Sequence, residues 1–197
     1  MPEPLSIAVY CSASDAVPDP YFAEATELGR LIARHGHSLV YGGCRVGLMG
    51  TVARSVIENG GRVCGVIPEA IHARGLSLDE CHELVVTPDM PVRKTTMEDR
   101  ADAFIALPGG AGTLEEMFQV INLKQLQYHI KPVVLINTEG FYDKLLEFID
   151  HLYEHRFARP ELKHLYHVAP HASAALDYLH AYTPPGEVVG KWFEKQG

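Results

Sequence analysis

The sequence predicts an α/β fold, a mostly parallel sheet of about seven strands with helices packed on both faces. Three observations carry this. Short apolar runs of strand length alternate with segments whose apolar residues recur three and four apart, as in Ala103-Phe104-Ile105-Ala106-Leu107 followed by Leu114, Met117, Phe118 and Ile121. Two of the runs lead into glycine-rich turns, Gly42 to Gly50 and Pro108 to Gly112. A chain of 197 residues, 47% hydrophobic and 21% charged, suffices for one domain with a sizeable core. That domain is expected over residues 1–182, with a C-terminal tail at 183–197.

Ser6-Ile7-Ala8-Val9-Tyr10-Cys11 reads as the first strand, closed by the turn residues Ser12-Ala13-Ser14-Asp15. Tyr21 to His35 carries Phe22, Ala25, Leu28, Leu31 and Ile32 at helical spacing and stops at Gly36. Ser38 to Tyr41 is the second strand, and its glycine-rich turn feeds a helix running to Glu58. Arg62 to Ile67 is the third strand, ended by Pro68. Glu69 to Cys81 is the least regular part, a helix followed by a mobile loop around Arg74-Gly75. Glu83 to Thr87 is the fourth strand, and a polar helix follows from Asp89 to Asp102. Arg93 and Met97 share a face of that helix, yet on spacing alone a helix so charged reads as a solvated surface. After the fifth strand and its helix, Pro132 to Asn137 is the sixth strand and Phe141 to Arg156 an amphipathic helix. Leu165 to Val168 is the last strand and His171 to Tyr182 the final helix. The tail has turn and polar composition, and Trp192-Phe193 marks its end for packing, with a partner subunit as one surface for it.

Lys+Arg 17 against Asp+Glu 25 leaves a formal charge of -8, which argues against a nucleic-acid or anionic-membrane surface. Any phosphate must be held locally. The four cysteines, Cys11, Cys44, Cys64 and Cys81, contain no Cys-x-x-Cys pair, and reduced thiols in a cytoplasm are the simplest account. Met1-Pro2-Glu3-Pro4 lacks the basic start and long apolar stretch expected of a signal peptide, and no apolar run approaches transmembrane length.

The stretch Leu107-Pro108-Gly109-Gly110-Ala111-Gly112-Thr113-Leu114-Glu115-Glu116 is a strand-to-helix turn. Its glycines let the backbone approach a ligand, and the free N–H groups at the start of a helix suit a phosphate. Glu115 and Glu116 then serve another part of that ligand. The structural alternative is a capping box, Thr113 at the N-cap and Glu116 three residues on. The second turn, Gly42-Gly43-Cys44-Arg45-Val46-Gly47-Leu48-Met49-Gly50, has neither the Gly-x-Gly-x-x-Gly spacing of a dinucleotide site nor the Lys-Ser/Thr of a P-loop. It can still cradle a phosphate by its amides, or simply make a tight connection. Both turns fall at carboxyl ends of strands, where they can share one pocket. His151-Leu152-Tyr153-Glu154-His155 matches an inverted zinc-protease pattern, but the pattern offers no evident third ligand and eleven histidines make chance pairs common, so no metal is expected.

Pro108-Gly109-Gly110-Ala111-Gly112-Thr113-Leu114-Glu115-Glu116, with Met90-Pro91-Val92-Arg93-Lys94 and the Gly42-to-Gly50 turn upstream, resembles the LONELY GUY family. These are cytokinin-activating nucleoside 5′-monophosphate phosphoribohydrolases, long mislabelled as lysine decarboxylases. The resemblance runs from Ile7 to about Leu179. It implies a Rossmann-like three-layer fold and a homodimer that cleaves AMP or N6-isopentenyl-AMP to free base and ribose 5-phosphate, without a cofactor. It places the essential arginine at Arg93 and the essential glutamate at Glu116. The expected substrate-binding set is Ser12, Gly43, Gly47, Met49, Met90, Lys94, Gly109, Gly110, Gly112, Thr113 and Glu115.

Three departures from the family pattern touch base recognition: Pro91 in place of His, Cys44 in place of Gly, and a Trp missing from Asn122-Leu123-Lys124. The chemistry agrees with the resemblance. Glycosidic cleavage passes through an oxocarbenium-like state that a carboxylate stabilises, and the same carboxylate can orient a water. One rival is a nucleotide or molybdenum-cofactor carrier of the same fold. The other is a decarboxylase, which needs a lysine bound to pyridoxal phosphate; Lys94 and Lys124 sit beside no such motif.

Overall fold

The computed structural model describes residues 3–184. Seven parallel strands form one sheet: β1 (Ser6–Tyr10), β2 (Ser38–Tyr41), β3 (Arg62–Pro68), β4 (Glu83–Thr87), β5 (Ala103–Ala106), β6 (Val133–Ile136) and β7 (His167–Ala169). Their spatial order is β4-β3-β2-β1-β5-β6-β7. The helices are α1 (Asp19–Arg34), α2 (Gly47–Glu58), the single turn α3 (Glu69–His72), α4 (Met90–Arg100), α5 (Ala111–Gln125), α6 (Asp143–Glu154) and α7 (Ala172–Ala181). The chain winds outward from β1 to β4, then returns to lay β5 on the other side of β1, with Ile7 opposite both Leu39 and Ala103. That reversal opens a crevice beyond the carboxyl ends of β1 and β5.

Alternation along β1 builds a core layer on each face. Ile7 and Val9 join Leu28, Ile32, Val52 and Leu176 from α1, α2 and α7. Ala8 and Tyr10 join Met97, Phe104, Met117 and Leu135 on the other face. Tyr142, buried beside that second layer, donates its hydroxyl to the Leu107 carbonyl at 2.7 Å and so fixes the end of β5 just before the glycine turn.

Several boundaries differ from the sequence expectation. α1 begins at Asp19 with a proline in its first turn, the one place in a helix where the missing N–H costs nothing. β7 begins at His167, because Pro160–Leu165 winds as a 3-10 turn. The larger correction concerns Ala73 to Cys81, expected as a mobile loop. It is docked on the turn after β2: Arg45 N–H donates to the Leu76 carbonyl at 2.8 Å and Leu78 N–H to the Gly43 carbonyl at 3.0 Å. Cys44 and Ser77 form an antiparallel bridge, and the Ser77 hydroxyl meets His72 Nδ1 at 2.7 Å. The tail beyond residue 184, with Trp192 and Phe193, lies outside the described residues.

Candidate active site

The crevice holds a cavity of about 330 Å³, walled by the ends of β1 and β2 and by α2, α3, α4 and the first turns of α5. α5 starts at Ala111, with Gly110 as N-cap in an extended conformation and no side-chain cap. The capping-box alternative therefore fails, since Thr113 and Glu116 both lie inside the helix. The amides of Gly110, Ala111, Gly112 and Thr113 have no hydrogen-bond partner among the described residues. Unpartnered donors at a positive helix end thus stand beside the cavity, which Gly110, Gly112 and Thr113 line.

Glu116 and Arg93 form the charged floor. Both are almost fully buried, at 5% and 4% exposure, and Arg93 Nη1 donates to Glu116 Oε1 at 2.5 Å. Arg93 Nε also donates to the Val66 carbonyl at 3.1 Å, so the guanidinium is tied to β3 as well as to α5. This overturns the solvated-surface reading of α4: Arg93 and Met97 are its buried face. Gly42 makes room for it, because a Cβ there would overlap the guanidinium. Burial pushes the Glu116 carboxyl above its ordinary range, and Arg93 offsets only part of that rise. At the rim, Lys94 pairs with the more exposed Glu115.

The family model described as possible lysine decarboxylase matches residues 49–179. A probable cytokinin riboside 5'-monophosphate phosphoribohydrolase of Oryza sativa subsp. japonica, LOGL6, is 43% identical over 183 residues, covering 93% of this chain and 73% of the relative. The Arabidopsis thaliana cytokinin riboside 5'-monophosphate phosphoribohydrolase LOG1 is 42% identical, covering 93% of this chain and 86% of its own. The chain belongs to the LONELY GUY family. The solved Moco carrier protein from Chlamydomonas reinhardtii is similar in fold, with a TM-score of 0.68 at 25% identity over 90% of this chain and 96% of the carrier.

Within this LONELY GUY chain, nine of the expected residues line the cavity: Ser12, Met49, Met90, Arg93, Gly110, Gly112, Thr113, Glu115 and Glu116. Gly43, Gly47, Lys94 and Gly109 are not part of its lining. Gly47 departs most from expectation. Its φ of +60° and the close approach of the Ser14 backbone explain the glycine, and its N–H is already donated to Asp15 Oδ1 at 2.7 Å. That amide is therefore not free to meet a phosphate. The sequence reading omitted Cys11, Ala13, Gly42, Cys44 and Ile71 from the site, all of which line the cavity. Cys44 enters the sequence reading as a departure that touches base recognition, and Ile71 reaches the site from the single turn α3, which leaves no local signal. Cys44, Met49, Ile71 and Met90 give the cavity an apolar, partly sulfur-lined wall. Burial raises the thiols of Cys11 and Cys44, which suits packing more than nucleophilic attack. The lining contains no lysine or histidine. Lys124 is instead buried in the last turn of α5, its ammonium 5.0 Å from the Tyr182 ring centroid.

Proposed function

We propose that the chain hydrolyses the N-glycosidic bond of an adenosine 5′-monophosphate, either AMP itself or the cytokinin nucleotide N6-isopentenyl-AMP, to free base and ribose 5-phosphate. The buried Arg93–Glu116 pair at the floor of a cavity with unpartnered helix amides beside it carries this reading. The amides of Gly110 to Thr113 receive the phosphate, and the apolar wall of Cys44, Met49, Ile71 and Met90 receives the base. The ribose then lies between them, over Glu116, with Glu115 on its hydroxyls. As the glycosidic bond breaks, positive charge grows on the sugar. A carboxylate in a water-poor site stabilises that charge far better than one in bulk water, and it orients the attacking water. A guanidinium holds its proton at neutral pH, so Arg93 acts by hydrogen bonding and by keeping Glu116 ionised.

A homodimer in the cytoplasm completes the proposal. The groove between α5 and α6, a cavity of about 570 Å³ lined by Phe118, Ile121, Leu152 and Tyr153, begins at Glu115 and supports pairing with a second copy. Phe148 on α6 and Phe157 just after it are also exposed. All four cysteines are free thiols, which supports a reducing compartment. Among the described residues no helix is long and apolar enough to cross a membrane. Sedimentation velocity is expected to give twice the chain mass, and a monomer at all concentrations would remove the dimer from the proposal.

Incubation with AMP, N6-isopentenyl-AMP and the two matching nucleosides, followed by chromatography, tests the reaction. Base and ribose 5-phosphate are expected from the monophosphates alone. Saturable nucleotide binding without base release would instead identify a carrier of the same fold.

A further inference from the structure

We infer that the C-terminal end of α6 is a divalent transition-metal site formed by His151, Glu154 and His155, outside the nucleotide cavity. One ligand atom of each residue lies within 4.8 Å of the others. The spacing of three and four residues puts them on one helix face, with the two imidazole centroids 4.1 Å apart. A tetrahedral ion bonded at about 2.1 Å needs ligand atoms about 3.4 Å apart, which small rotations of these exposed side chains supply. The sequence pattern showed no third ligand; on the helix, the pattern's own glutamate fills that place.

Three features favour an ion here. The side chains of His151, Glu154 and His155 make no hydrogen bond or ion pair among the described residues, whereas Asp150 beside them is held by Lys163 at 2.5 Å. Metal binding therefore displaces no protein partner. Phe148, one turn earlier, stacks on His151 with centroids 6.5 Å apart, which steadies that ring. The three ligands also occupy the last turn and C-cap of α6, where the partial negative charge of the helix end attracts a cation. The other histidine gathering, His35, His37 and His180, lacks this freedom. His37 Nδ1 accepts the Leu5 N–H at 3.1 Å, and its Nε2 is paired with His180 Nε2 at 2.9 Å.

Two imidazoles and one carboxylate suit Zn²⁺ and its late first-row neighbours, not the all-oxygen preference of Mg²⁺ or Ca²⁺. A fourth position stays open to water. The test uses untagged, chelator-stripped protein titrated with Zn²⁺ and Mg²⁺ by calorimetry and with Co²⁺ by visible absorption. One Zn²⁺ per chain, no Mg²⁺ heat and a Co²⁺ ligand-field band are expected. The His151→Ala/His155→Ala double variant should lose more affinity than the about 10- to 100-fold that a supporting partner costs, and Glu154→Gln less than the double variant. An unchanged metal-free melting temperature shows that the variants fold. Absence of Zn²⁺ binding, equal binding by the double variant, or a Co²⁺ spectrum with thiolate charge-transfer bands would each overturn the site.

Discussion

Glu116 is held in a place that opposes its own charge, since burial drives its carboxyl toward the neutral form while Arg93 draws it back. For the reaction proposed above the ionised form is the active one, so activity is present above the folded-state pKa and lost as pH falls through it. Because that pKa is raised, the acidic limb of the pH–rate profile is expected above the ordinary glutamate value of about 4.3. Glu116→Gln keeps the shape and an acceptor for Arg93 but removes the charge. Its expected effect is a fall in kcat of about 100- to 1,000-fold, with AMP binding retained and the acidic limb abolished. A variant turning over at the wild-type rate would take Glu116 out of the mechanism. The glycine motif was legible as a strand-to-helix turn from the residues themselves, and with its two glutamates it lines the cavity. The burial of Arg93 was not legible, because the space that admits its guanidinium is made by Gly42 on another strand end, far away in sequence.

At the scale of elements, strand identity was readable because every central strand is covered on both faces and shows a continuous apolar run. β5 and β6 are buried at every position. The existence of α1, α5 and α6 followed equally well from the apolar spacing. What periodicity does not encode is where backbone hydrogen bonds go when an element ends. The segment from Ala73 to Cys81 has no periodic signal, and its order comes from Gly43 and Arg45, whose backbone groups pair with Leu78 and Leu76. The start of α5 shows the same limit. Thr113 and Glu116 satisfy a capping pattern on paper, but the chain turns into the helix three residues earlier at Gly110, and both side chains face the cavity instead. The difference matters for function, since a capping box would occupy the amides that the phosphate is proposed to use.

For the whole molecule, acid is the condition under which the packing of ring nitrogens tells on stability. Two histidines, the buried His37 and the half-buried His129, are held neutral: desolvation, with His180 and His35 adding repulsion, lowers His37 to about 4, and desolvation, with Lys131 and Lys124 adding repulsion, lowers His129 to about 4 against the opposing Val120 carbonyl contact. His37 also links Leu5 before β1 to His180 on α7, so its protonation loosens the packing of β1 and α7. In the unfolded chain both titrate near about 6.5, hence the unfolded state takes up more protons below that pH. Their contribution is complete above about 6.5 and is lost as pH falls toward 4, at up to about 1.4 kcal/mol per pH unit for each ring. Glu98 and Glu116, raised by burial, act in the opposite sense nearer the carboxylate range, which makes the upper part of the window the clearer one to measure. Urea midpoints are therefore expected to drop between about pH 7 and pH 5.5, with the His37 and His129 ring signals still those of neutral imidazole in NMR spectra of the folded protein at the lower pH. A midpoint that holds steady, or rings already protonated at pH 5.5, would show that these histidines do not couple folding to acid.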